Sequence, residues 1–145
     1  MDSNFALQNL DLIDLLSERH SLLRKISEEA WNSQSEIYIS NSEWYIMARI
    51  YKKRPTISYV TKHVDISRQA IHKFMKQLAA KGLIEIQNVE NNKKEKCVQL
   101  TALGEDCYEK NEGLKAQLEQ KIAEKIGTEQ VAILKELLQL EWGIE

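Results

Sequence analysis

Proline is almost missing from this chain. Pro55 is the only one among 145 residues, so it marks one definite break, because the residue before a proline is pushed out of the helical region. Cysteine is nearly as scarce. Cys97 and Cys107 alone cannot build a disulfide framework, and without a CxxC they suggest neither a zinc ribbon nor a redox pair. Buried, inert thiols are the expectation for both. His20, His63 and His72 are dispersed, with no carboxylate or cysteine at ligand spacing, so no metal site is expected. The sequence also lacks a Gly-rich phosphate loop, an HExxH and a nucleophile elbow. Nothing in it supports an enzyme or a bound cofactor. No apolar run approaches the ~18 residues of a membrane span, and Met1-Asp2-Ser3-Asn4 shows no secretory pattern. A cytoplasmic protein without membrane contact is expected.

What is present is an uneven distribution of charge. The net value of -2 conceals three blocks. Residues 1–48 hold three basic and eight acidic side chains, and residues 83–145 hold eight and thirteen. Between them, residues 49–82 hold nine basic side chains against Asp65 alone. One basic block between two acidic flanks is the electrostatic footprint of a nucleic-acid reader, the flanks confining contact to one face.

That block contains two helical patterns joined by a short break. Ile57, Val60 and Val64 make one apolar stripe, and Ile71, Phe74, Met75 and Leu78 make a second at i, i+3, i+4, i+7. In the break, Asp65 is of a type that tolerates left-handed backbone. Ile66 is placed to plug the corner, and Ser67 to cap a second helix over 68–81. This outlines a helix-turn-helix, whose second helix lies in the DNA major groove. On that helix Arg68, Gln69, His72, Lys73 and Lys76 lie opposite the apolar stripe and are donors suited to base edges and phosphates. A solvated basic face is the plainer alternative.

The flanks complete the outline. Residues 5–34 read as one long helix and 35–42 as a connector. Ser40 and Glu43 have capping-box spacing ahead of a helix through Trp44, Ile46, Met47, Ile50 and Tyr51. Trp44 and Tyr45 fit core spacing better than a ligand site. Thr56 can cap the helix after Pro55. Gly82 is expected just past the end of the second helix. Two short strands follow, over 83–89 and 96–100, around a polar turn at Glu90–Glu95. A hairpin in that place is a wing, and Asn91, Asn92, Lys93 and Lys94 at its tip would reach the DNA backbone or minor groove. Thr101 opens a helix that runs to Ile126. Thr128 is expected to cap a last one carrying Val131, Leu134, Leu137, Leu138 and Trp142. The terminal helices carry more leucine and isoleucine than a lone winged helix could cover, which implies a helical dimer interface.

The expected fold is therefore mainly α with a small β-wing. A winged helix-turn-helix domain (36–104) is bracketed by an N-terminal dimerisation helix (1–35) and C-terminal dimerisation helices (105–145). In this order of elements the chain resembles the MarR family of bacterial transcription regulators. Three segments carry the likeness: Ile66-Ser67-Arg68-Gln69-Ala70-Ile71-His72-Lys73, Leu78-Ala79-Ala80-Lys81-Gly82-Leu83-Ile84, and Val98-Gln99-Leu100-Thr101-Ala102-Leu103-Gly104. The resemblance implies a homodimer that represses transcription. It also implies release by a small aromatic effector, or by cysteine oxidation, near the junction of dimer and DNA-binding parts, here in the region of Trp31 or Trp44. One departure is visible. The family's wing commonly carries Asp-x-Arg where this chain has Asn92 and Lys94, and a lysine keeps the charge but not the planar fork of arginine. Phosphate contact by the wing is retained in that comparison, and minor-groove reading is not supported.

Together these readings describe a sequence-specific regulator of double-stranded DNA, dimeric, over a pseudo-palindromic operator. The expected contacts are Ser67, Arg68, Gln69, His72 and Lys73 from the second helix, with Lys62, Lys76, Asn92, Lys93 and Lys94 on the backbone. The alternative is a winged-helix protein-interaction module with weak or no DNA binding.

Overall fold

The computed structural model describes residues 7–90 and 92–144, and the side chains at 92 and 93 lie outside that description. Among the described residues there are six helices and one two-stranded antiparallel sheet. In chain order they are α1 (Leu12–Asn32), α2 (Asn41–Ile50), α3 (Ile57–His63), α4 (Arg68–Ala80), β1 (Ile84–Val89), β2 (Asn92–Leu100), α5 (Ala102–Ile126) and α6 (Thr128–Gln139).

The core sits between α2, α3, α4 and the base of the hairpin. Ile39, Ile46, Met47, Ile50, Val60, Ile71, Leu78, Leu83 and Val98 are wholly buried there. Each such side chain contributes about 1.5–3 kcal/mol relative to exposure. Trp31 from the end of α1 meets Trp44 edge-on, with ring centroids 5.1 Å apart. The start of α5 closes the unit from below. Thr101 N donates to the Leu83 carbonyl at 3.0 Å, and its hydroxyl donates to the Gly82 carbonyl at 2.7 Å. At Gly104 a Cβ would stand 2.0 Å from the Leu83 oxygen. Only glycine lets α5 approach this closely, which gives the Leu-Thr-x-x-Gly spacing its physical reason.

Local signals place most element ends. Ser40 and Glu43 form both bonds of the capping box, at 3.2 and 3.0 Å. Thr56 caps α3 through Tyr59 N at 3.0 Å, and Ser67 caps α4 through Ala70 N at 3.2 Å. Helix α4 ends in a Schellman pair, Leu83 N to Leu78 O and Gly82 N to Ala79 O, both 3.0 Å. Gly82 takes the left-handed φ of 77° that this motif needs.

Five details depart from the sequence reading. The helix expected over 5–34 is not continuous. Residues 5 and 6 lie outside the description, a turn occupies 8–9, and Asp11 caps a helix starting at Leu12 by accepting from Asp14 N at 2.8 Å. The described non-glycine residue with a positive φ is Lys52, at 54°, after α2; Asp65 is not left-handed. Instead, Ile66 N donates to Val64 O at 2.8 Å, a three-residue turn that folds the corner more tightly than a left-handed residue would. Thr128 is the first residue inside α6 and Gly127 takes the cap position, so no side chain caps that helix. Trp142 lies beyond α6, where its indole N–H donates to the Leu137 carbonyl at 2.8 Å, satisfying the helix end from outside. Finally, β2 begins at Asn92 rather than Lys96. Asn88 pairs with Lys96 and Val89 with Asn92, leaving residues 93–95 as a bulge opposite a single step of β1.

Candidate nucleic-acid interface

Helix α4 buries Ile71, Met75 and Leu78 and turns Arg68, Gln69, His72, Lys73 and Lys76 outward. The amphipathic split follows from the 3.6-residue repeat, and the short α3 behind it fixes which way the polar face points. Beside that face the hairpin leans over the helix-turn-helix. A cleft of about 600 Å³ opens between α3, α4 and the wing. Lys62 and Ser58 line it from α3, Arg68, His72 and Lys76 from α4, and Lys94 and Lys96 from β2. Six cationic or ionisable donors thus converge on one concave surface, with Glu95 as the carboxylate in its wall. Cationic donors in such number favour a polyanion.

The structure brings together five of the ten expected contacts. Lys62, Arg68, His72, Lys76 and Lys94 share the cleft, whereas Gln69 and Lys73 are exposed on α4 outside it. Ser67 sits at the N-terminus of α4, its oxygen accepting from Ala70 N and its O–H left to donate. The expected contacts from the side chains of Asn92 and Lys93, and the whole of Asn91, lie outside the described residues. Lys96 was missed by sequence reasoning. Its signal was the i, i+2 repeat with Lys94, legible once β2 is extended back through residue 94.

Counting charge along the chain overstated the free basic surface. Lys81 Nζ lies 2.7 and 2.8 Å from the Glu43 carboxylate oxygens and 2.7 Å from the Tyr38 carbonyl, so it is turned inward. Arg54 donates to Gln87 Oε1 and, at 3.3 Å, to Cys97 Sγ, bracing the base of the hairpin. Arg49 donates to the Tyr45 hydroxyl at 3.2 Å. The three are held by protein partners, and of the rest of the basic block Lys62, Arg68 and Lys76 line the cleft.

The thiols are both buried. Burial pushes the Cys107 thiol up from its ordinary range, with Asp106 adding to the shift. A raised thiol pKa leaves less of the nucleophilic thiolate. Tryptophan does not frame the large cavity near the expected effector region. Trp44 is core, while a cleft of about 1010 Å³ lies between α1, the start of α2 and the corner of the helix-turn-helix. Tyr38, Tyr45, Arg24 and Glu28 are among its walls. Trp31 borders a smaller hollow of about 400 Å³ against α5. No described helix is long and apolar enough to cross a membrane.

Comparison with known proteins matches this geometry. Residues 39–104 fit the family of winged helix DNA-binding domains. The reduced form of MarR from E. coli superposes with a TM-score of 0.80 at 21% identity, over 91% of this chain and 96% of that one. A mutant E. coli MarR complexed with operator DNA gives 0.73 at 20% identity, over 96% and 97%. Streptococcus pneumoniae FabT in complex with DNA gives 0.74 at 21%, over 88% and 90%. Among curated proteins no match is found.

Proposed function

We propose that this chain, whose residues 39–104 match the winged helix DNA-binding domains and which shares the fold of MarR over 91% of its length, is a dimeric transcription regulator that reads a pseudo-palindromic operator. The observation that carries the reading is the convergence of Lys62, Arg68, His72, Lys76, Lys94 and Lys96 on one cleft beside an exposed polar helix face. In that role α4 enters the major groove. Arg68 and Gln69 have the fork and amide geometry for guanine and adenine edges, and His72 and Lys73 lie on the same exposed face. Lys62, Lys76, Lys94 and Lys96 anchor phosphates, setting affinity and register without reading sequence.

The terminal helices support a homodimer. Ile13, Leu22 and Leu23 on α1, and Leu134, Leu137 and Leu138 on α6, stand exposed in the single chain. Large apolar side chains left exposed on both terminal helices are suited to an interaction surface, and a second copy covers them while placing two recognition helices about 34–36 Å apart. Repression, with release by a small effector in the cleft between α1 and the helix-turn-helix corner, is the regulatory form of this proposal.

Fluorescence anisotropy with a duplex carrying a selected site tests the reading. Wild type should lose affinity with salt at a log–log slope of about 0.9 per neutralised phosphate. Arg68→Ala should lose about 1–3 kcal/mol on that site and far less on unrelated duplex. Equal losses on both would remove α4 from base reading.

A further inference from the structure

Lys81 closes the recognition helix, yet its side chain faces away from the DNA cleft. Its ammonium is held by both oxygens of Glu43, at 2.7 and 2.8 Å, and by the Tyr38 carbonyl at 2.7 Å, with the Tyr38 ring 5.4 Å away. Glu43 is almost fully buried and also accepts from Ser40 N at 3.0 Å. Those contacts fix the start of α2 and the connector before it against the far end of α4.

The same connector is held from the other side by α1. Glu28 accepts from the Tyr38 hydroxyl at 3.1 Å and from Asn41 N at 3.3 Å. Asn32 brackets Ile39, accepting from its N–H at 3.0 Å and donating to its carbonyl at 3.2 Å. A continuous polar path therefore runs from α1 through residues 38–43 to Lys81. Apolar packing under α4 is non-directional, so polar contacts such as those of Lys81 supply the directional constraint between its C-terminal end and the connector. An ion pair with its carboxylate buried, as here, is a poor source of net stability, and the best-attested use of such pairs is to fix register.

We infer that Lys81 and Glu43 are positioning residues, which set the tilt of the recognition helix relative to α1 and thereby the spacing between the two half-sites a dimer accepts. The inference rests on the proposed dimeric DNA-binding function. It assigns no DNA contact to Lys81.

The test compares wild type, Lys81→Arg, Lys81→Met and the double variant Glu43→Gln with Lys81→Met. The double variant avoids a buried unpaired carboxylate, and glutamine preserves the capping box, so it folds even where Lys81→Met alone does not. Each is titrated against the selected operator, against operators with the half-sites one base pair closer or farther apart, and against unrelated duplex. In the double variant, binding to the correctly spaced operator should fall about tenfold, within the range of coupling through packed networks. Discrimination between spacings should shrink, while affinity for unrelated duplex and the salt slope stay at wild-type values. Lys81→Arg should restore spacing discrimination. A double variant that loses thermal stability but keeps the wild-type spacing preference overturns the inference, making the pair merely structural. A parallel loss on all duplexes with a shallower salt slope also overturns it, making Lys81 a phosphate contact. Wild type that selects no operator overturns the regulator reading itself, which the variants cannot do.

Discussion

The middle of the chain and its two ends use the same residue types to opposite effect. In the winged-helix unit Ile46, Ile71 and Leu78 are wholly buried, whereas on the terminal helices Ile13 is 76% exposed and Leu137 51%. Both regions show clear helical periodicity. The difference lies in what each stripe meets. The central helices α2, α3 and α4 meet one another and the hairpin, and close a core within a single chain. The terminal helices α1, α5 and α6 pack partly on each other, with Val131 the buried side chain of α6, and present a further apolar face outward. Periodicity fixes that a face will be covered; only topology decides whether the cover is this chain or another.

The contrast can be broken first from the inside. Leu78→Ala is expected to destabilise by about 2–5 kcal/mol, the range for truncating a buried leucine. Urea denaturation checks it, and the loss should be the same at every protein concentration. Gly104→Ala belongs to the same class, because its Cβ would meet the Leu83 carbonyl at 2.0 Å. From the outside, Leu134→Lys with Leu137→Lys should act on association. Sedimentation should show monomers at concentrations where wild type is dimeric, with a dissociation constant raised at least about 100-fold, as for loss of central interface anchors. Its circular dichroism should stay that of a folded winged helix. A double variant that unfolds instead would mean that the face is core.

At the cleft the effects are smaller and separate by type. Lys62→Ala should weaken binding to all duplexes alike and lower the salt slope by about 1.

The smallest effect concerns the seam between the two regions. Tyr51, just after α2, donates to Glu109 on α5 at 2.6 Å. That hydrogen bond to a carboxylate, with partial burial behind it, pushes the Tyr51 pKa up to about 12 from 10.0. The contribution is complete below pH 10, where the phenol is protonated folded or unfolded, and fades as pH rises toward 12. Tyr51→Phe should therefore be slightly less stable than wild type at neutral pH, and the gap should close in alkaline thermal melts.

Much of this architecture was legible in the chain because it rests on local chemistry. Ser40 with Glu43, Thr56, Ser67 and Gly82 are caps whose partners lie within a few residues, and each falls where its residue type predicts. What escaped was non-local. Nothing near Lys81 in sequence shows that Glu43, 38 residues earlier, turns it inward. Likewise Arg54 meets Gln87 and Cys97 only once the hairpin folds back. Lys96 pairs with Asn88 beside the bulge at 93–95 and lines the cleft, a placement set by how the hairpin lies against α3 and α4. Charge in a sequence is a count, and a surface is what remains after the fold has used some of it.

The most direct test of the central claim is selection of duplex DNA from a random library by the purified chain. A two-fold symmetric motif with half-sites about one helical turn apart, near 34–36 Å, is the expected result. Recovery of no motif, with only weak salt-sensitive binding before and after refolding to strip bound ligand, would contradict it and leave the cleft as a surface for an acidic protein partner.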